Sequence, residues 1–490
     1  MLLRNLDNVK NLFTSFSGTF IGVGMTAFSR VAPAYFLKPY PVIALRKTRD
    51  LPLLRKKREI FCLEEELGSF VTEPGFNSAR LLAHPLVKNY LAEKEDPKYL
   101  FLYQSYRELE KMAGDQGWSL LANSAALRLR VGERSFFQEM IGRLNLNRIP
   151  GGLYPVEQLY ERDYDKWAER LGPRLVIRLA DIRQGGGRGT FFIDSLQSYR
   201  HLQYLLKKEG VWWGTKIKHL SIHKFVEGQP ISLTLCLTRQ GILFSDVQRQ
   251  LIDLPYCREI LEKGVFCGHS WEKDFWDSTV RNETLRQAGS IGEYLSKLGY
   301  KGILGVDFIL SEDGETLYPL ECNPRLTGAF PMLSMLHLER GIIPMEVFHM
   351  LEFMGVPYDI DVESLNSQYR EGVRGSHLIL FRLHHDFRAG CRPTEAGLYE
   401  FDQEKKEASF LGGETDYSAM HNERQFILID GPPDTGGKPM KIEDPLYRLC
   451  HILFPHPIMN DQQKISSHAI AVVDWAYQQM FPGNKDDIEP

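Results

Sequence analysis

A mixed α/β and α+β architecture is the fold class predicted by this 490-residue sequence, and three observations carry it. Short apolar runs alternate with helical segments over the first third of the chain, which argues for a parallel sheet covered by helices. Beyond residue 230 such runs come in adjacent pairs separated by tight turns, which argues for antiparallel pairing. With 43% hydrophobic residues the chain has enough apolar mass for about two to four separate cores.

In chain order, residues 20–24, 41–45, 60–63 and 99–103 are strand-like runs of an N-terminal unit spanning 1-134. Residues 105–113 follow as a helix, and 118–123 as a strand ending near Arg134. The glycines of 18–24 lack the full GxGxxG register and a following acidic strand end, so they read as a tight turn rather than a dinucleotide site. The apolar patch 13–28 is broken by Ser, Thr and Gly and is too short to span a bilayer, and no signal peptide pattern precedes it. Residues 136–144 show helical spacing, 149–152 a loop, and 175–178 a short strand. The glycine-rich hairpin Gly185-Gly186-Gly187-Arg188-Gly189-Thr190 then leads into a strand at 191–193. Residues 231–237 and 241–244 read as paired strands, 282–298 as a helix, and 331–336 as another. In the last part, 375–382 and 423–430 read as strands, 431–437 as a loop, and 465–480 as an amphipathic helix.

The chemistry concentrates in two adjacent strands. Residues 302–310 are nearly all apolar and end at Ser311-Glu312-Asp313-Gly314, a hairpin-type turn, after which 316–323 returns. Side chains alternate along a strand, so Glu321 and Asn323 share a face while Cys322 points the other way, and Asp307 next door can meet them. Three oxygen donors with room for phosphate suit Mg²⁺ (or Mn²⁺), which prefers one or two carboxylates plus substrate phosphates. Upstream, glycines at 185–189 let backbone N–H groups approach phosphate, and Arg188 adds a charged fork. By itself this loop reads equally as a flexible turn; it is not a P-loop, since no Gly-Lys-Ser/Thr follows. Arg178 stands in an otherwise apolar strand, where an Arg is seldom buried without an anionic partner. Arg134 alone reads equally as a solvated surface residue.

Taken in order, Arg178, the glycine loop, Ser221-Ile-His223-Lys224-Phe225-Val226-Glu227-Gly228, Asp307 and Glu321-Cys-Asn-Pro-Arg325 resemble the ATP-grasp superfamily, the match covering residues 115–350. The resemblance implies an ATP-grasp fold with an N-terminal open α/β domain at 1-134, a lid subdomain at 135-230 and a metal-carrying subdomain at 231-354. An α+β domain is appended at 355-490. It implies ATP bound between lid and metal strands, a substrate carboxylate converted to an acyl phosphate, and an amine that displaces phosphate. It places Asp307, Glu321 and Asn323 on the metal and gives Arg325 and Arg178 catalytic roles. Arg134, Arg178, Gly185, Gly186, Gly187, Arg188 and Gly189 fall on the phosphates, and His223, Lys224, Phe225 and Val226 at the adenine edge. Three departures stand out. Arg178 and Arg134 occupy places usually held by Lys, which keeps the charge but changes a point donor into a planar fork. His223 stands where Glu is usual, and a neutral imidazole accepts at only one nitrogen. An ATP-dependent carboxylase or phosphotransferase, or a degenerate nucleotide-binding structural or regulatory protein, stays open on the same fold. The resemblance also lets Gln248 and Arg249 face the acceptor, although the residues themselves read as a polar loop end.

Bulk properties fit a soluble, cytoplasmic enzyme, and the resemblance implies that its partners are a small-molecule carboxylate and an amine. A net charge of -4 gives no overall field for nucleic acid or anionic membranes, and the basic clusters at 46–49 and 55–58, followed by Glu64-Glu65-Glu66, read as a solvated face. Seven cysteines without a CxxC pair suggest reduced thiols. His384-His385-Asp386 reads as a surface or packing segment rather than a metal fragment. Residues 355–490 either complete the acceptor pocket or make a subunit contact, for which a homodimer is the assembly considered.

Overall fold

The computed structural model describes residues 1–481 except 72, 74, 183–184, 213, 258–259, 383–391, 393, 432–433, 435–446 and 461–463, and residues 207–209 without their side chains. His384-His385-Asp386, Cys391 and most of the 431–437 loop therefore lie outside the described residues.

The N-terminal unit is a five-stranded parallel sheet of β1 (Thr19–Gly24), β2 (Val42–Ala44), β3 (Ile60–Cys62), β4 (Lys98–Leu102) and β5 (Ser119–Leu121), in the order β3-β2-β1-β4-β5. Every residue of β1 is buried, as a strand covered on both faces requires. The order reverses between β1 and β4, so a crevice opens at their carboxyl ends. That edge faces the rest of the chain, for Leu326 N–H donates to the Tyr103 carbonyl at 3.2 Å.

A second, antiparallel sheet carries β6 (Gly151–Pro155), β7 (Leu175–Leu179), β8 (Thr190–Ile193) and β11 (His219–Lys224), in the order β6-β11-β7-β8. The small hairpin of β9 (Val211–Trp212) and β10 (Thr215–Lys216) precedes β11. Helices Tyr164–Leu171 and Leu196–Glu209 cover one face, burying Trp167 and Tyr199 against Ile177, Leu220 and Ile222. The sequence predicts a loop at 149–152; Gly151 and Gly152 instead open β6, paired with His223 and Ile222.

The third sheet is the longest. It is built from β12 (Gly228–Thr238), β13 (Gly241–Phe244), β14 (Gln248–Ile252), β15 (Phe266–Trp271), β16 (Gly302–Ser311), β17 (Leu317–Asn323), β18 (Gly375–Phe381), β19 (Gly397–Asp402), β20 (Glu407–Gly412), β21 (Gln425–Ile429) and β22 (Arg448–Phe454). Its path runs β17-β16-β12-β14-β15-β18-β22-β21-β19-β20, with β13 also on β12. Since β18 pairs directly with β15, the C-terminal strands extend the sheet that carries Asp307. Helix Ser278–Lys297 packs Ile291 and Leu295 against this sheet. Helix Met345–Met354 is buried from Met345 to Glu352 because it lies between two sheets. Its His349 donates from Nε2 to the Leu121 carbonyl at 2.9 Å and accepts at Nδ1 from Ile303 N–H at 3.0 Å, a neutral bridge whose pKa burial pushes down to about 4. Among the described residues no helix is long and apolar enough to cross a membrane, and the six described cysteines are free and buried.

Candidate active site

Strand register assembles the site. Ser232 on β12 pairs with Asp307 on β16 and with Gln248 on β14, and Asp307 pairs with Glu321 on β17. Directly opposed residues share a face, so these four form a row, with Gln250 and Asn323 two residues further on the same side. A bulge leaves Leu320 without a partner next to Glu321, a local kink of the kind that re-aims a side chain. Cys322, on the other face, is 6% exposed in the core under helix Ser278–Lys297.

Asp307 is buried and held from both sides. Oδ1 accepts from Gln250 Nε2 at 2.8 Å and Oδ2 from Asn323 Nδ2 at 2.7 Å. Asn323 Oδ1 in turn accepts from Arg325 Nη2 at 2.8 Å, and the Arg325 guanidinium lies 5.0 Å from the centre of the Tyr103 ring. Burial, reinforced by the Glu321 charge, raises the Asp307 carboxyl; bonds from Ser232 and Asn323 and the charge of Arg325 oppose the rise. Glu321 is more open, with 44% of its side chain exposed and Oε2 3.8 Å from Arg178 Nη1.

Arg178 reaches this point from β7. Arg134, at the start of helix Arg134–Arg143, joins it half-buried. Burial, then the neighbouring Arg178 charge, push Arg134 down to about 10 while Glu321 acts the other way. Ser221 is the register partner of Arg178, so His223 lies two residues along the same face of β11. Its Nδ1 is 3.0 Å from Ser221 Oγ, and burial, followed by the charges of Arg178 and Arg134, pushes its pKa down to about 4. The ring is therefore neutral at pH 7. Beyond it, Lys224 N–H donates to the Pro150 carbonyl and Phe225 N–H to that of Arg174, both at 2.9 Å. Phe225 packs edge-on to Phe192 at 5.1 Å, and Val226 leads into β12.

The glycine loop bends over the same place. Gly186, Gly187 and Gly189 have φ of 82°, 90° and 70°, a region that side chains disfavour. A Cβ on Gly185 would lie 3.2 Å from Arg325 Nη2, and one on Gly187 only 2.6 Å from the Gly264 carbonyl oxygen. The loop thus rests on the turn between β14 and β15. Lys263 N–H donates to the Thr190 carbonyl at 2.8 Å, and Trp212 Nε1 donates to Glu262 Oε1 at 3.2 Å. Asp253 stiffens that turn by accepting from Gly264 N–H at 2.7 Å and Val265 N–H at 2.8 Å. Arg188 folds back, Nη1 donating to the Gly185 carbonyl at 3.1 Å.

The structure thus brings Arg134, Arg178, His223, Glu321, Asp307, Asn323, Arg325 and Gly185–Gly189 to one junction between two sheets. It corrects the reading of Gln248 and Arg249 as a loop end: both lie on β14 and are buried. Gln248 donates to Ser232 Oγ at 3.2 Å and accepts from Trp271 Nε1 at 2.9 Å, while Arg249 stacks on Phe275 at 4.3 Å with Glu272 nearby. The residue that reaches the site is Gln250, two positions further on. Tyr103, Ser232 and the Asp253 turn also escaped the sequence reading; only Tyr103, at the end of a strand in a parallel unit, carried a signal that could have found it. Among the described residues no three His, Cys, Asp or Glu side chains converge. Two carboxylates and an amide on adjoining strands are a hard-oxygen set, and they fit Mg²⁺ or Mn²⁺ sharing its coordination with phosphate.

A family model described as the ATP-grasp domain matches residues 204–329, a span that includes β11, Asp307, Glu321, Asn323 and Arg325. Over 149 residues the chain is 28% identical to the (butirosin acyl-carrier protein)–L-glutamate ligase of Niallia circulans, covering 29% of this chain and 30% of that protein. The match thus spans less than a third of that relative's length. Among solved structures, a biotin carboxylase of Campylobacter jejuni superposes with a TM-score of 0.57 at 12% identity, covering 95% of this chain and 92% of that one. The biotin carboxylase domain of a Hydrogenobacter thermophilus 2-oxoglutarate carboxylase, solved with MgADP, gives 0.56 at 13% identity over 90% and 87%. An N5-carboxyaminoimidazole synthetase of Staphylococcus aureus, solved with ADP, gives 0.51 at 15% identity over 95% and 97%. At such identities these structures speak for the fold.

Proposed function

We propose that this chain, a member of the ATP-grasp superfamily, is an ATP-dependent ligase that converts a carboxylate into an acyl phosphate and passes the acyl group to an amine. The observation that carries this reading is the chain of contacts Gln250–Asp307–Asn323–Arg325 facing Glu321, Arg178 and the glycine loop across one junction. Asp307, Glu321 and Asn323 would hold Mg²⁺ or Mn²⁺, which when bound offsets phosphate charge and polarises the phosphoryl oxygens. Arg178 and Arg134 supply planar forks to the remaining phosphate oxygens, while a neutral His223 adds no third positive charge beside them. The adenine edge meets the backbone between His223 and Val226. The N–H groups of Lys224 and Phe225 are already engaged, so the base would be met farther along, at Val226.

A substrate carboxylate oxygen attacks the γ-phosphorus and ADP leaves. An amine nitrogen then adds to the acyl carbon, phosphate departs, and the nitrogen gives up its proton to form the amide. Arg325, fixed by Asn323 and the Tyr103 ring, faces the oxyanion of that second step. The glycine loop, docked on the Lys263–Gly264 turn, keeps water from the acyl phosphate. Catalysis by position and charge alone needs no covalent enzyme nucleophile.

The near-full-length likeness to biotin carboxylase folds keeps one second reading, in which bicarbonate is the acid activated. The test is ADP release with MgATP and a panel of amino acids and small acids, L-glutamate first in view of the Niallia circulans relative, with hydroxylamine as amine trap. Acid-dependent ADP together with a hydroxamate is the expected result. ADP release that depends on bicarbonate instead supports carboxylation, and nucleotide binding without any ADP release would leave a non-catalytic nucleotide-binding protein.

A further inference from the structure

Arg30 puts a guanidinium in an apolar place outside the site described above. It follows β1, is 4% exposed, donates from Nε to the Val23 carbonyl at 3.2 Å and from Nη1 to the Ser29 carbonyl, and lies 5.7 Å from the ring centres of both Phe101 and Tyr103. Among the described residues no carboxylate comes within ion-pair distance of it. Glu346 and Asp430 act on it only from farther off, and each has its own partner, Ser334 and His451 respectively. A buried charge of this kind is costly unless an opposite one arrives.

A second buried donor stands beside it. Tyr40 is 4% exposed, and its hydroxyl has no hydrogen-bond partner among the described residues. Both side chains fold over the glycines of β1. A Cβ at Gly22 would lie 2.4 Å from the Tyr40 hydroxyl and 3.0 Å from Arg30 Cβ, and one at Gly24 would lie 3.1 Å from Arg30 Cγ. A side chain at Gly22 would collide with the Tyr40 hydroxyl, and one at Gly24 with Ser29 Oγ and the Thr26 carbonyl as well as the Arg30 stem, so this run, no dinucleotide fingerprint, is glycine-rich because its surroundings leave no room for Cβ atoms.

Arg30, just past β1, and Tyr103, just past β4, stand at the crevice where the order β3-β2-β1-β4-β5 reverses, the usual position of ligands on an open parallel sheet, and Tyr40 reaches toward it over Gly22 from the segment before β2. Tyr103 links this crevice to the site: Arg30 is 5.7 Å from its ring centre and Arg325 5.0 Å. The two guanidiniums are no farther apart than those distances laid end to end, within the reach of the two ends of one small dicarboxylate. We propose that Arg30 and Tyr40 form a carboxylate-binding site that anchors a second, non-reacting carboxylate of the acid substrate while its reacting carboxylate lies at Arg325. The acid is then a dicarboxylate of the size of succinate or glutarate, or an α-amino derivative of one. Guanidinium forks suit that task, since they grip carboxylates bidentately. The identification of the anion as substrate rests on the ligase reading.

The test is ADP release at saturating MgATP, titrating succinate, glutarate, L-aspartate and L-glutamate against butyrate and L-alanine in the wild type, Arg30→Met, Arg30→Lys and Tyr40→Phe. A dicarboxylate should drive release in the wild type. Its KM should rise about thirtyfold in Arg30→Met, as for loss of one charge-assisted pair, and by less in Arg30→Lys. In Tyr40→Phe its KM should rise severalfold while Tm holds or increases, because the variant deletes an unpaired buried hydroxyl; a purely structural tyrosine would not separate the two. KM for ATP should stay nearly unchanged throughout. The site is overturned by a preferred monocarboxylate, by the absence of any dicarboxylate-driven release, by an acid KM indifferent to all three substitutions, or by ATP and acid KM rising in step. Should Arg30→Met not fold, Arg30→Lys and Tyr40→Phe carry the same comparison. Wild-type protein that fails to bind MgADP in calorimetry strikes the ligase reading instead.

Discussion

Glu321→Gln separates a metal role from a structural one, because the structure assigns the two very different magnitudes. The Glu321 side chain is 44% exposed, and its ion pair with Arg178 is long at 3.8 Å. An exposed pair of this kind contributes about 0–1 kcal/mol, and Gln preserves the size and one oxygen of the residue. Asp307 keeps both of its own hydrogen bonds, from Gln250 and Asn323. Loss of stability should therefore stay under about 1 kcal/mol, a shift in Tm of roughly 2–4 °C at most. Turnover should respond quite differently. If Glu321 supplies one of two metal carboxylates, removing its charge forfeits a large part of the several kcal/mol that a bound metal contributes to the transition state. A loss of about 3 kcal/mol slows the reaction roughly 150-fold. The assay is ADP release across a Mg²⁺ titration, paired with a thermal melt. Unchanged ADP release with an unchanged Mg²⁺ dependence would refute the metal assignment. A collapse in Tm would refute the premise that this side chain is structurally dispensable.

Three further outcomes follow from named contacts. Gly187→Ala puts a Cβ 2.6 Å from the Gly264 carbonyl at a φ of 90°, so the loop must lift at a cost of about 1–2 kcal/mol from the left-handed backbone alone. Calorimetry should show MgADP affinity about tenfold weaker with little change in Tm, and full affinity would mean that the Gly187–Gly264 contact plays no part in the bound state. Arg178→Gln should raise KM for ATP by about tenfold or more, as loss of a charge-assisted bond to phosphate implies, and Arg178→Lys should recover most of it; equal KM values in all three proteins would remove Arg178 from the phosphates. Asp50 is fully buried, and burial followed by the neighbouring Asp430 charge raises its pKa from 3.8 to about 7. A carboxyl raised on folding adds stability below its unfolded pKa and loses that contribution as pH climbs through the folded one. Asp50→Asn should therefore be more stable than wild type at pH 8, by on the order of 2–4 kcal/mol, with the gain shrinking toward pH 5. Melts at the two pH values check it, and a gain independent of pH would mean that Asp50 does not titrate.

How much of this was legible in the sequence depends on which physical rule each residue obeyed. The opposition of Asp307 to Glu321, with Asn323 on the same side, follows from the strict two-residue alternation of strands and a short hairpin turn, both of which are local. Gln250 was not legible because its bond to Asp307 depends on strand order: β14 reaches that face only by pairing with β12 at Ser232, and periodicity reports which face a residue takes, not which strand lies alongside. Gln248 and Arg249 were misjudged for another reason. Polarity predicts exposure only where no buried partner waits, and here Ser232, Trp271, Glu272 and Phe275 were waiting. The basic run at 46–49 fails the same way as a solvated face, for Arg46 is bonded to Glu64 at 2.5 Å, and Lys47 and Arg49 pair with Asp434 some 3.2 and 3.1 Å away.

The two ends of the site differ in legibility because they differ in construction. The end that carries Asp307, Glu321, Arg178 and the glycine loop recruits residue types whose chemistry is uncommon in strands, namely paired acids, an arginine and consecutive glycines, and most of them lie on two hairpins. Their signature is therefore short-range. Around Arg30, Tyr40 and Tyr103 the opposite holds: they come from three separate segments of the parallel unit, and Arg325 meets Tyr103 only because the β17 end docks on the carboxyl edge of β4. Any one of the three, taken singly, reads as packing. Their meaning comes from a buried cation and a hydroxyl that, among the described residues, lack an anion at ion-pair distance and a hydrogen-bond partner respectively, and those are properties of the folded surroundings that no pattern of residues along the chain can state.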